Sequence, residues 1–202
     1  MVYQLKMKSL NIYKQKFREF GVSPQALQWK SKGAAHQRFR QFWAEIDFDD
    51  KNVLDVGCGF GEMGNFLVKR YKNVEYKGID ITSEFIENGH KIYPTLDLEI
   101  ADFHDLTKTQ IFDVVLASGV LNSNVSNNMD YRKKSIKKMF DLTDKCLAFN
   151  MLGGHPQPIN NKKSNVWYAD SLEILEYCMS LTKKVVFKSN YHSRDFTIFM
   201  YV

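Results

Sequence analysis

The 202-residue chain has no long apolar run, and its first ten residues form no continuous apolar segment. A membrane-spanning helix needs roughly 18 or more consecutive apolar residues, and no stretch of this sequence approaches that length. A secretory signal peptide needs an apolar core followed by a cleavage site, and MVYQLKMKSL has neither. The sequence therefore predicts no membrane partner.

Paired cysteines are also absent. Cys58, Cys146 and Cys178 are far apart, odd in number and without the CxxC spacing of metal sites. They support neither a disulfide framework nor a set of metal ligands. We therefore predict no metal, and we expect reduced thiols in a cytoplasmic protein.

Acidic residues are almost missing from the start of the chain. Residues 1–40 contain nine Lys or Arg against the single acid Glu19, a net charge of +8, which leaves −3 for the remainder of a chain of net charge +5. Such asymmetry can indicate an anionic partner such as nucleic acid. A solvated helical surface has the same composition, and this plainer interpretation is the preferred one.

What the sequence does contain is a glycine-rich turn after a short apolar strand, VLDVGCGFG at 53–61. Gly57, Gly59 and Gly61 let the backbone turn tightly and approach a ligand, because no Cβ blocks the approach. A helix that follows would direct free N–H groups and a positive dipole end at this turn. We therefore predict a site for a polar, nucleoside-like ligand, with Asp55 and Cys58 beside it.

Two cofactor classes use such a turn. Gly59, Gly61 and Gly64 have the GxGxxG spacing of dinucleotide-binding domains, with Asp80 about 20 residues further on. That short pattern is unspecific. VLDVGCGFG as a whole is more specific, because three further segments follow it in a fixed order: GID at 78–80, ADF at 101–103 and FDVVLASGVLN at 112–122.

Together, the four segments resemble the motifs of the class I S-adenosylmethionine (SAM)-dependent methyltransferases, over about residues 50 to 202. Residues 29–39 and the ending at 195–197 also resemble a group of small bacterial methyltransferases. The resemblance implies an α/β, Rossmann-like fold: a seven-stranded, mostly parallel sheet with an antiparallel last strand and helices on both faces. The link 189–195 is too short for a helical crossover, which agrees with an antiparallel last strand. We predict an N-terminal helical lid, residues 1–48, and a SAM-binding domain, residues 49–202.

The resemblance and the strand positions assign roles at the cofactor site. Asp80, at the end of the second strand, is predicted to accept hydrogen bonds from both ribose hydroxyls, with Ile81 beside it. Asp102 inherits a hydrogen bond to the adenine amine and Phe103 a contact with the ring, although Phe103 can also be plain core. Ser118 begins the segment that runs beneath the transferred methyl group.

Two residues of the predicted lid are candidates for the cofactor site. Trp29 either covers SAM or packs in the core with Phe39. Arg38 either binds the methionine carboxylate of SAM, because a guanidinium matches a carboxylate with two parallel hydrogen bonds, or forms a surface salt bridge.

The acceptor is not specified by any motif. ASGV at 117–120 is not the Asn/Asp-Pro-Pro-Tyr/Phe of enzymes that methylate amino groups of bases or glutamine, and no cysteine follows proline as in cytosine C5 enzymes. The acidic set that binds the divalent ion of catechol-type enzymes is also missing. His155, His192 and Tyr168 are candidate bases, but a loop histidine is more often structural, so the catalytic residue stays unknown.

Four functions remain open. The first is a SAM-dependent methyltransferase that transfers a methyl group to oxygen or nitrogen of a small molecule by in-line displacement. The others are an RNA methyltransferase that uses the basic arm, a SAM-binding module without turnover, and a nicotinamide oxidoreductase, against which Asp55, Phe103 and the chain length argue.

We expect the Asn- and Ser-rich loop 122–129 to be mobile and to face the substrate. A monomer and a homodimer are both compatible with the sequence.

Overall fold

A computed structural model describes residues 2–29 and 31–202, with side chains from residue 10 onward. The helices are α1 (Val2–Phe20), α2 (Lys32–Trp43), α3 (Glu62–Val68), α4 (Ser83–Ile92), α5 (Asn128–Phe140) and α6 (Ser171–Leu181). The strands are β1 (Asn52–Val56), β2 (Glu75–Asp80), β3 (Asp97–Ile100), β4 (Phe112–Ser118), β5 (Thr143–Gly154), β6 (Ala169–Asp170), β7 (Val185–Lys188) and β8 (Asp195–Tyr201). Short 3₁₀ helices cover Pro24–Leu27 and Val120–Asn122.

The strands form one sheet in the order β3-β2-β1-β4-β5-β8-β7, and β6 pairs only with the end of β5. Neighbours from β3 to β5 run parallel, whereas β8 is antiparallel to both β5 and β7. The predicted Rossmann-like fold with an antiparallel last strand is therefore confirmed. The structure adds one strand to the seven that were predicted. This added strand is β6, which pairs with Gly153 and Gly154 and, with two residues, is too short to show any periodicity.

The central strands are buried on both faces, as their nearly continuous apolar sequences indicate. Successive side chains point to opposite faces of the sheet, and two core clusters result. Leu54, Val115 and Leu147 pack with residues of α5 and α6 on one face. Val53 and Val114 pack with residues of α2, α3 and α4 on the other.

The N-terminal segment is attached to the sheet in two different ways. Phe39, Phe42 and Phe48 are buried in the sheet core, and the Phe42 ring lies 6.2 Å from that of Phe199 on β8. Tyr13 and Phe17 of α1 instead pack in a separate small cluster with Phe60 and Phe85. Helix α2 is thus one of the helices that cover the sheet, and the division at residue 48 stays a prediction.

Candidate cofactor and acceptor site

A cavity with about 1380 Å³ of empty space, including its open mouth, lies at the carboxyl ends of the parallel strands. Its floor is formed by the ends of four strands, at Val56, Ile79–Asp80, Ala101 and Ser118. Ligands of open α/β sheets bind at this edge. The N-terminal segment contributes to the wall with Tyr13, Leu27, Gln28, Trp29 and Arg38.

The glycine-rich turn lines the cavity with Gly57, Cys58 and Gly59. Gly57 and Gly59 have φ of +69° and +58°, and a Cβ added to Gly59 would lie 2.9 Å from the Leu27 side chain. Only glycine fits there, because the Leu27 side chain packs directly on the backbone. Gly61 (φ +88°) instead faces Leu96 and Leu98 and does not line the cavity.

The backbone N–H groups of four residues in the turn itself are used by hydrogen bonds inside the protein. The N–H groups of Gly57 and Cys58 both donate to Ile79 O, at 2.8 and 3.0 Å. Gly59 N donates to Asp80 Oδ2 at 3.1 Å, and Gly61 N donates to Cys58 O at 3.0 Å. A dinucleotide pyrophosphate needs such donors, so their internal use argues against the nicotinamide alternative.

Asp80 is placed as the ribose prediction requires. Its carboxylate lines the cavity, with Oδ1 accepting from Thr82 N at 2.8 Å and Oδ2 from Gly59 N. Burial raises the pKa of Asp80, while the two N–H donors act in the opposite direction. Each carboxylate oxygen accepts more than one hydrogen bond, so Asp80 can also accept from two ribose hydroxyls. Ile81 lines the cavity beside it.

Asp55 does not reach the cavity, which corrects its predicted place beside the ligand. Its side chain is buried beneath the turn and accepts a hydrogen bond from the Tyr76 hydroxyl at 2.7 Å. Burial raises the pKa of Asp55 to about 7, although the hydrogen bond from Tyr76 by itself lowers this pKa. Asp55 supports the turn from below.

The predicted adenine end contains Asp102 and Phe103 as expected, both in the lining. Phe103 is 7% exposed and also belongs to the sheet core, so the two interpretations of this residue are compatible. Sequence analysis missed His104, whose ring lies 4.0 Å from that of Phe103. Its position directly after the ADF segment at 101–103 could have indicated that it lies at the cofactor site. Tyr131 of α5 completes this end of the cavity.

Trp29 and Arg38 both line the cavity. The Trp29 ring meets that of Phe39 edge to face at 5.8 Å, so it packs and lines the site at once. Arg38 forms an ion pair with Asp195, with 2.8 Å between Nη2 and Oδ2. Their side chains are 12% and 5% exposed, so the interpretation as a surface salt bridge is wrong, and the pair is part of the wall.

None of the three candidate bases lines the cavity. His155 lies on the outside, with Nδ1 3.3 Å from the carboxylate of Asp170. His192 Nδ1 lies 3.7 Å from Asp195 and accepts a hydrogen bond from Arg194 N. Tyr168 is held by its backbone to Asn160. Proximity in sequence to the loops of the site did not bring these side chains into it.

The loop 122–129 lines the cavity with Asn122, Ser123 and Val125, and hydrogen bonds hold both it and the residues directly before it. Arg132 of α5 is fully buried, and it donates from Nε to Leu121 O at 2.9 Å and from Nη2 to Ser123 O. Burial lowers the pKa of Arg132 to about 10. The loop is also joined to the 164–167 segment, where Trp167 N donates to Asn122 O at 2.8 Å. Two loops therefore form one wall.

The basic arm is partly neutralised by neighbours. Lys14 lies 3.4 Å from Glu84, and Lys16 lies 2.9 Å from Glu19.

No helix in the described part of the chain is long and apolar enough to cross a membrane. Within residues 2–29 and 31–202, no group of three or more His, Cys, Asp or Glu side chains could hold a metal ion.

A family model described as a methyltransferase domain matches residues 47–167. A curated relative, the putative methyltransferase 235L of Invertebrate iridescent virus 6, is 27% identical over 124 residues, which cover 58% of this chain and 45% of the relative. A fatty-acid O-methyltransferase of Mycolicibacterium smegmatis is 31% identical over 83 residues, 40% of this chain and 30% of that protein. The chain thus covers less than half the length of either relative.

Among solved structures, the DhpI–SAH complex is similar, with a TM-score of 0.70 and 14% identity over 96% of this chain and 95% of that one. The fold and the site define a class I, Rossmann-like methyltransferase. The chain belongs to the methyltransferase domain family, whose methyl donor is SAM, and the class predicted from the four sequence segments is confirmed.

Proposed function

We propose that this chain binds SAM in the cavity and transfers its methyl group to an oxygen or nitrogen atom of a small-molecule acceptor by in-line displacement. The observation that carries the proposal is the position of Asp80. Its carboxylate faces the cavity at the end of β2, is fixed by two backbone N–H groups, and keeps acceptor capacity for a ribose diol.

The rest of the lining fits the other parts of the cofactor. Phe103 offers an apolar face to the adenine ring, and the Asp102 carboxylate can accept from its amino group. The backbone at Gly57–Gly59 lines the cavity and can lie against the methionine part, because these glycines carry no Cβ of their own to block a close approach. These roles follow the sequence predictions for the same residues.

The chemistry requires positioning more than acid–base catalysis. When bound, SAM supplies a methyl group activated by a sulfonium. The chain holds the acceptor in line with that group, and Leu27 beside Gly59 and Trp29 beside Gly119 help to exclude water. A small acceptor is supported by this lid, and the name of the M. smegmatis relative supports transfer to oxygen.

The test is calorimetric titration with SAM, S-adenosylhomocysteine (SAH) and NADH. We expect the first two to bind and NADH not to bind. Asp80→Asn removes the charge that accepts the ribose hydroxyls and should weaken SAM binding by about 10- to 100-fold. Asp144→Asn, the same change at an exposed position of β5, should have no effect. Binding of NADH in place of SAM by the folded protein would overturn the proposal.

A further inference from the structure

Two N–H donors converge above Gly119, directly after β4. A Cβ placed on Gly119 would lie 3.4 Å from Asn122 Nδ2 and 3.9 Å from Trp29 Nε1. The orientation of the Asn122 amide is fixed, because its Oδ1 accepts a hydrogen bond from Leu152 N at 2.9 Å. Neither donor has an acceptor among the described residues, and both side chains line the cavity.

Arg38 adds a third donor group to the same side of the cavity. Its Nε and Nη2 both donate to the Asp195 carboxylate, at 3.1 and 3.2 Å. A guanidinium has five N–H groups, so the edge formed by Nη1 and Nη2 is left for another partner. Arg38 lines the cavity, so a ligand there can use this second edge while the first edge stays paired with Asp195.

The sheet order separates these donors from the carboxylates of the site. Asp195 begins β8 beside Leu152 of β5, and β8 lies three strands from β1, about 14 Å at the usual strand spacing. Asp80 and Asp102 follow β2 and β3, on the opposite side of β1. Among the described lining residues that follow β4 or β5, none is Asp, Glu or His. This side of the cavity therefore has donors for an anion and, among its described lining residues, no carboxylate or imidazole to remove a proton.

We propose that the acceptor is a carboxylate, held by the N–H groups of Trp29, Asn122 and Arg38 and methylated on its own oxygen. This rests on the proposed function. A carboxylate arrives already deprotonated and so needs no base. Its oxygen forms the bond to the methyl carbon as the carbon–sulfur bond breaks, and sulfur keeps the electron pair. The negative carboxylate and the positive sulfonium become a neutral ester and a neutral thioether, and no proton is released.

The test compares carboxylates with their amides in protein saturated with SAH. Octanoate and benzoate are each titrated by calorimetry against octanamide and benzamide. We expect at least one carboxylate to bind about 10-fold or more tightly than its amide, because only the charged form makes charge-assisted hydrogen bonds. Mass spectrometry with SAM should show its methyl ester, formed at a rate that stays flat between about pH 6 and 9.

Two conservative variants test whether the N–H groups of Asn122 and Trp29 bind the carboxylate. Asn122→Asp keeps the acceptor for Leu152 N but replaces the donor with a negative oxygen, and should weaken binding of the carboxylate about 100-fold. Trp29→Phe keeps the ring packing on Phe39 and removes one N–H, for a loss of about 5- to 10-fold. In both variants the affinity for SAH should change less than about twofold. Asn161→Asp, in an exposed loop, is the matched control.

The outcomes separate the two proposals. If SAH binds but both carboxylates bind no better than their amides, the carboxylate proposal fails and the methyltransferase proposal stands. If Asn122→Asp and Trp29→Phe weaken SAH and carboxylate binding equally, the donors serve the methionine carboxylate of the cofactor, and the assignment to the acceptor is overturned. If SAH does not bind to the folded wild-type protein, the proposed function itself fails.

Discussion

At the residue scale, Gly57 combines a positive φ with a close contact, whereas Gly21 has the positive φ alone. Their φ angles are +69° and +59°, but a Cβ on Gly57 would lie 2.3 Å from Val120 Cγ2 and one on Gly21 would meet nothing within 4 Å. Gly21→Ala should cost about 1 kcal/mol in the free energy of unfolding. Gly57→Ala should cost about 2–4 kcal/mol, because overpacking adds to the backbone strain.

Chemical denaturation measures both losses. Val120→Ala removes the methyl group that Gly57→Ala would strike, so the double variant should recover part of the loss. Equal losses in Gly57→Ala and Gly21→Ala would show that Val120 moves aside at no cost, contrary to this explanation.

Asp55 should make stability depend on pH. Its pKa is raised by burial from 3.8 to about 7, so the folded state holds the proton more tightly than the unfolded state. The stabilisation is complete below about pH 4 and is lost as the pH rises toward 7. Asp55→Asn does not titrate and keeps an acceptor for the Tyr76 hydroxyl.

The variant should therefore gain stability relative to wild type between pH 4 and 7, on the order of 3 kcal/mol. Urea unfolding at a series of pH values gives the difference. A difference that stays constant across this range would mean that Asp55 is ionised in the folded protein.

At the scale of elements, α5 and the loop before it form one unit through Arg132. Arg132→Met leaves the buried carbonyl group of Leu121 and the partly buried carbonyl group of Ser123 without their donor. We expect a loss of about 2–4 kcal/mol in the free energy of unfolding, since unsatisfied buried polar groups are costly. Hydrogen exchange in residues 119–128 should become faster, because the loop loses its anchor.

Lys134→Met is the matched control on the same helix. Lys134 is 65% exposed in its side chain and pairs with Asp130 across one helical turn. Exposed pairs of this kind contribute little, so this variant should change the free energy of unfolding by less than about 0.5 kcal/mol. If both variants behave alike, Arg132 does not anchor the loop.

At the scale of the whole molecule, the two N-terminal helices should differ in what their removal does. A chain that begins at Val22 loses α1 and with it Tyr13, which lines the cavity, and Phe17, which packs against Phe60 and Phe85. It keeps α2 and the core residues that α2 carries. We expect it to fold, but to bind SAM at least about fivefold more weakly, as seen by calorimetry.

A chain that begins at Asp49 also loses Phe39, Phe42 and Phe48, which are buried against the sheet. Burial of each such side chain contributes about 1.5–3 kcal/mol, so the sum is comparable to the whole stability of a small domain. We expect no cooperative thermal transition by circular dichroism. A folded chain from Asp49 would instead support the sequence prediction of an independent lid at residues 1–48.

Much of the fold was determined by local sequence. The motif resemblance implied a seven-stranded sheet, and the described structure contains these seven strands and the short β6. The central strands have nearly continuous apolar sequences, so their burial can be predicted from their own residues. Asp170 is of a residue type that favours the N-cap of a helix, and its side chain accepts hydrogen bonds from Leu172 N and Glu173 N at the beginning of α6. The RNA-methyltransferase alternative, which rests on charge alone, stays a prediction.

The cofactor class was also determined by local sequence, since its motifs follow single strands. Asp80, Ile81, Asp102, Phe103 and Ser118 line the cavity because each sits at or just after the carboxyl end of a parallel strand. Parallel pairing brings all of these ends to one edge. Position in a strand was therefore enough to place them.

Only the tertiary structure decided what closes the site. Arg38 and Asp195 are separated by 157 residues, and Leu27 packs on Gly59 from another part of the chain. Such contacts depend on how helices pack on the sheet, and no local periodicity in the sequence predicts them. The same holds for the turn N–H groups, which β2 occupies through Ile79 O and Asp80. The sequence determined the elements and the cofactor class; long-range packing determined how the N-terminal segment covers the cavity, how the loop before α5 is anchored, and where the N–H groups of Trp29 and Asn122 lie.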